Sequence, residues 1–174
     1  GIRHGIRDVG DDKAGVIVVP SLNAGCHVQP AVRAHVGGVD IHQLQRIDAA
    51  KVGKPVFIDF TGHGCVNCRE MEARVWSDPA VLELLNEYVI CALYTDDKMV
   101  LPESEWVTAD NGKTLKSLGK VNAYYALTRF GVNAQPYYVL QGKNEQILVE
   151  PRGYNLDAQA FAEFLREGIK RYRK

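Results

Sequence analysis

Residues 55–68 read PVFIDFTGHGCVNC, an apolar run closed by two cysteines three positions apart. Pro55 to Phe60 has the length and the aromatic, β-branched content of a buried strand, and the spacing after Cys65 turns helical to about Trp76. A strand that passes into a helix through a short glycine-containing loop commits this stretch to layered α/β architecture. The cysteines sit on the handover itself. Cys65 falls at or just before the first helical turn, where unpaired N–H groups and the helix dipole stabilise an anion. A thiolate there is expected to have a lowered pKa, and the thiolate is the reactive form. Cys68 lies one turn further on and is expected to be less exposed. That spacing suits attack by Cys65 on a disulfide followed by resolution by Cys68.

A metal knuckle is the competing reading of the pair. A structural zinc site needs four ligands, usually from a second Cys-x-x-Cys or a closely spaced His pair. The other candidates are scattered: Cys26-His27, His35, His42, His63 and Cys91, with no second knuckle. Four cysteines in 174 residues are also too few for a disulfide scaffold. Redox chemistry is therefore favoured, with no metal and no organic cofactor, since a dithiol carries two electrons by itself. The 21 basic and 21 acidic residues cancel, which leaves no charge bias toward nucleic acid or an anionic membrane. The longest aliphatic run, Val16 to Val19, is far too short to span a bilayer.

The chain divides near residue 40. Residues 1–39 show no sustained period beyond a possible strand at Val16 to Val19, with Cys26 in a turn-like context, and read as an N-terminal extension or linker. The chain starts at Gly1 with no visible signal peptide, so it reads as a processed or excised piece of a longer protein. From Asp40 a helix carrying Ile41, Leu44 and Ile47 is predicted to end near Gly53. After the cysteine helix, Ser77-Asp78-Pro79 predicts a restart with Asp78 as N-cap and Leu82 and Leu85 on the inner face. Residues 88–94, YVICALY, read as a strand, and 95–112 as a long loop. A helix from about Lys113 to Phe130 is predicted to be disturbed at Gly119 and stopped by Gly131. Residues 136–140 and 146–149 read as a hairpin, followed by a last helix over about 157–172. This order implies one domain over 40–174 with a central mixed sheet flanked by helices.

KPVFIDFTGHGCVNCREME, the SDPAV helix start and FGVNAQPYYVL together resemble a thioredoxin-fold domain. They are most similar to the C-terminal periplasmic domain of DsbD-type thiol:disulfide interchange proteins, over about Ile41 to Lys174. The resemblance implies a protein-disulfide reductase with Cys65 as nucleophile and Cys68 as resolving thiol. It implies a periplasmic location, a membrane-embedded domain as electron donor, and a periplasmic thiol protein or domain as acceptor. It also places a cis-proline at Pro136, opposite the cysteines, and a proton-accepting acid at Asp59 with a second acid at Glu72. Thioredoxins usually carry tryptophan immediately before the first cysteine; here Gly64 stands there, after His63.

The residues support these roles to different degrees. Asp59 interrupts an apolar strand, so its carboxylate is costly unless paired and its pKa is expected to rise. The plainer alternative is a strand-end acid bonded to backbone. Glu72 follows Cys68 by four positions and shares its helix face, and its alternative is a solvated helix charge. A cis Gln135–Pro136 bond would hold backbone open to an extended substrate segment, which makes Gln135, Pro136, His63 and Gly64 the candidate substrate-facing residues. For His63 the favoured reading is a plain exposed loop residue, with tuning of Cys65 or contact with a partner as the alternative. Cys91 lies in an apolar strand and reads as an inert core position; Cys26 is either free or paired with it. A monomer is expected. The rivals are a stand-alone thioredoxin-like reductase or oxidase, a binding module on the same fold without turnover, and zinc binding.

Overall fold

The computed structural model describes residues 53–174. The helix expected after Asp40, the strand at Val16 to Val19, Cys26 and the boundary near residue 40 all lie outside the described residues. The central sheet has strand order β2-β1-β5, with β1 at Val56–Thr61, β2 at Val89–Tyr94 and β5 at Tyr137–Gln141. β1 pairs in parallel with β2 and antiparallel with β5, so the sheet is mixed as expected. Helix α1, Val66–Met71, continues as a π-helical stretch over Glu72–Trp76, and α2 is Pro79–Leu85. A two-stranded hairpin, β3 (Val107–Thr108) and β4 (Thr114–Leu115), precedes α3 at Leu118–Phe130, and α4 closes the chain at Ala158–Tyr172.

β1 and β2 are buried at every position, because helices cover both faces of the sheet. The two-residue period of the strands then sorts side chains into two cores. Phe57, Ile90, Tyr138 and Leu140 point to one face, with Met71, Val75, Trp76, Val81, Leu85, Phe161, Phe164 and Leu165 from α1, α2 and α4 over them. Val56, Ile58, Phe60, Val89, Cys91, Leu93 and Val139 point to the other, covered by Ala126, Tyr125 and Phe130. Asp59 shares the parity of Phe57 and so lies on the α1 side. The tyrosine pairs serve packing: Tyr138 meets Phe57 and Phe161, and Tyr137 and Tyr125 meet Phe60.

Four expectations are corrected. Leu82 is 43% exposed, and Val81 with Leu85 forms the inner face of α2. Asp78 does cap that helix, accepting hydrogen bonds from the Ala80 and Val81 amides. Helix α3 begins at Leu118 rather than near Lys113, because Thr114 and Leu115 pair with Val107 and Thr108. Gly119 does not disturb α3: a Cβ there would meet the Asp97 backbone at 2.6 Å, so glycine is what lets the helix start abut the 95–97 turn. Gly131 stops the helix as expected, with φ of 69°. The returning strand at 146–149 shrinks to a single bridge, Gln141 to Ile147. From Leu148 to Arg152 the chain takes four steps where β5 takes two from Leu140 to Tyr138, and Pro151 has no N–H to donate, so no ladder forms.

Candidate active site

Cys65 is the N-cap of α1, with extended backbone (φ −83°, ψ 101°), and its Sγ accepts the Cys68 amide N–H at 3.2 Å. The Cys65 amide in turn donates to Gly62 O, which closes the loop between β1 and α1. Cys65 and Cys68 are joined in a disulfide with S–S 2.06 Å and Cα–Cα 5.3 Å. Cys65 is partly exposed whereas Cys68 is 2% exposed. The sulfur that a second protein can reach is thus the one at the helix terminus. Its buried neighbour, Cys68, is placed to react with Cys65 Sγ.

Two acids, Asp59 on β1 and Glu72 at the end of α1, interact with each other. Asp59 is 2% exposed, faces Ala92 on β2 and Tyr138 on β5, and among the described residues its Oδ1 accepts no hydrogen bond. Burial first, and the charge of Glu72 second, push its carboxyl well above the usual range, while Arg69 pulls it back down. Glu72, one turn after Cys68, has a half-buried carboxyl also raised by burial and opposed by Arg69. Glu72 is therefore no solvated helix charge, and Asp59 is no backbone-bonded strand end. Across the sheet from Asp59, the Tyr138 phenol is driven beyond its usual range by burial and by Asp59 and Glu72, so it stays neutral.

The loop in front of Cys65 is held from the side. The amides of His63 and Gly64 donate to the two carboxylate oxygens of Asp96 at 2.7 and 2.9 Å. Burial disfavours the Asp96 charge, but the Gly64 and His63 amides outweigh it and hold the carboxyl below its ordinary value. The His63 ring stacks on Tyr94 at 4.0 Å and its Nε2 lies 3.2 Å from Asp97 Oδ2. His63 is therefore anchored, although its side chain is still exposed. Of the two loop glycines it is Gly62 that leaves room for Asp96: a Cβ there would sit 3.2 Å from the carboxylate, whereas one at Gly64 would make ordinary contact at 3.7 Å. The Gln135–Pro136 peptide is cis, and Pro136 is buried beside a half-buried Gln135. Tyr137 pairs with Phe60, which brings Pro136 to the same end of the sheet as the cysteine loop.

Arg69, Tyr94, Asp96 and Asp97 were not among the residues singled out from sequence. Arg69 reads as an ordinary helix charge beside the cysteines. YTDD follows β2 directly, and a parallel β2 beside β1 sends its following loop to the same sheet end. That topology is the signal that could have found the last three. Among the described residues no group of three or more His, Cys, Asp or Glu side chains is placed to hold a metal.

Compared with known protein families, residues 43–169 match the thioredoxin-like domain. The chain belongs to the thioredoxin-like family. No curated protein matches it. Among solved structures, DsbH oxidoreductase is 14% identical with a TM-score of 0.55, covering 76% of this chain and 84% of that one. A thioredoxin from Thermus thermophilus is 22% identical with a TM-score of 0.48, covering 70% and 79%. The DsbD C-terminal domain of Neisseria meningitidis, in its reduced form, is 17% identical with a TM-score of 0.48, covering 74% and 96%. The likeness to DsbH carries the fold. A thioredoxin-like domain with a Cys65–Cys68 pair at its strand–helix junction is a thiol–disulfide oxidoreductase.

Proposed function

We propose that this domain delivers electrons: it reduces disulfides in periplasmic partner proteins or domains and is itself recharged by a membrane-embedded donor domain. The observation that supports the direction is a pair of interacting acids, buried Asp59 and half-buried Glu72, the second of them four residues after the resolving cysteine. Negative charge in a dry site opposes the thiolate, and a couple whose reduced form is not stabilised as thiolate is a reductant rather than an oxidant. The periplasmic setting and the membrane donor follow from the resemblance of KPVFIDFTGHGCVNCREME to DsbD-type domains. Among the described residues no helix is long and apolar enough to cross a membrane.

In the reduced domain the Cys65 thiolate attacks a partner disulfide, forming a Cys65–partner bond and releasing the first partner sulfur as thiolate. The Cys68 thiol gives its proton to Asp59. Its sulfur then attacks Cys65 Sγ, the mixed disulfide breaks, and the electron pair leaves on the second partner sulfur. Two electrons have moved, and the Cys65–Cys68 disulfide remains. Asp59 suits this transfer because an ordinary carboxyl near 3.9 is a poor base for a thiol near 8.5, each about their reference values. Raising the acid brings the two closer. Gln135, Pro136, His63 and Gly64 form the surface that the partner segment meets.

The test is transfer to a protein disulfide such as that of insulin. The reduced domain is expected to turn over, Cys65→Ala to lose all transfer, and Cys68→Ala to accumulate the mixed disulfide on Cys65. Transfer that survives Cys65→Ala would refute the assignment, and absence of transfer in the native domain would favour a binding module.

A further inference from the structure

Asp59 and Glu72 act on each other as like charges, and the cation that opposes both, Arg69, lies immediately after Cys68. Arg69 Nη2 donates to Thr61 Oγ1 at 2.9 Å and to Gly62 O at 3.3 Å, and lies 3.3 Å from Glu72 Oε1. Its guanidinium carbon stands 6.0 Å from the Tyr94 ring centre. One side chain of α1 therefore touches the end of β1, the cysteine loop, the second acid and the end of β2.

We propose that Arg69 is a positioning residue for the resolving step: it latches the first turn of α1 to the end of β1 and supplies the positive charge that keeps Asp59 usable as a base beside Glu72. This rests on Asp59 being the proton acceptor for Cys68. The groups around Asp59 leave Arg69 well placed for the task. From α1 and its continuation come Arg69 and Glu72; from β5 comes Tyr138, a neutral phenol with Phe161 of α4 packed on it; from β2 comes uncharged Ala92, with Tyr94 near the Arg69 guanidinium. Both acids are pulled down by Arg69 against their burial. Losing that pull would leave Asp59 protonated over more of the neutral range, so Cys68 would lose its acceptor there. The Arg69 side chain is 42% exposed, so solvent screens part of the effect.

Resolution of a preformed Cys65 mixed disulfide with glutathione, followed by stopped-flow release of the thiol between pH 5 and 9, reads this directly. Arg69→Met keeps the aliphatic stem and is expected to move the pH midpoint of resolution upward by about 0.5–1 pH unit, an about three- to tenfold loss at pH 7 that recovers at alkaline pH. Arg69→Lys, which restores the charge, is expected to return the midpoint most of the way. A wild-type midpoint in Arg69→Met, or a midpoint in Arg69→Lys as high as in Arg69→Met, would overturn the proposal. The ¹³C titration of the Asp59 carboxyl in the oxidised protein decides the charge effect without any exchange reaction. It is expected to move upward in Arg69→Met, and an unchanged titration would overturn the role of Arg69. Loss of the oxidoreductase reading would instead appear as wild-type protein that never resolves.

Discussion

At the scale of single residues, Asp59 carries a cost that the fold alone does not require. Its strand parity places it among Phe57, Tyr138 and Phe161, where an Asn or Leu would be easier to bury. Because the folded carboxyl holds its proton to higher pH than in the unfolded chain, its contribution is complete below the unfolded value, about 3.9, and is lost as pH rises through the folded one. Asp59→Asn should therefore unfold in urea like the native oxidised protein near pH 4. Above neutrality it should be more stable than the native protein, because the native carboxyl must there either ionise in a buried site or hold its proton against the solution. The same variant should resolve mixed disulfides more slowly. Equal urea midpoints at pH 4 and pH 8 would mean that Asp59 is not held in the raised state described here.

At the scale of elements, local chemistry sets most boundaries. Asp78 satisfies two amides at the start of α2 and Pro79 follows at the first helical position, so Asp78→Ala is expected to cost about 1 kcal/mol in urea unfolding. A loss near zero would show that α2 is held by packing alone. These local signals are the ones that were legible: the β1 run, the cysteine turn, the Asp78 cap, the Gly131 stop and the α4 stripe all announce themselves within a few residues. Leu82 and Val81 are both apolar, and only the position of α4 decides which of them is covered. The β3–β4 pairing and the failed strand at 146–149 depend on partners in other segments. The same limit governs the site. Cys65, Cys68, Asp59 and Glu72 lie within fourteen residues of one another and their parity could be counted along the chain. Asp96 and Asp97 act across more than thirty residues, through amides that no sequence pattern marks.

At the scale of the whole molecule, three segments converge on one end of the sheet: the 62–65 loop after β1, the 95–97 turn after β2, and Gln135-Pro136 before β5. Two aromatic-rich cores beneath them leave the backbone little freedom, so the environment of the sulfurs is set by fixed groups. Asp96 holds the loop, Arg69 ties it to α1, and Glu72 at the end of α1 interacts with Asp59 on β1. We propose that this environment makes the pair a donor of electrons. The reduction potential of Cys65–Cys68 at pH 7, from equilibrium with defined thiol buffers, decides it. The expected value lies near that of thioredoxin, about −270 mV. A value near that of DsbA, about −120 mV, would make the domain an oxidant and contradict it.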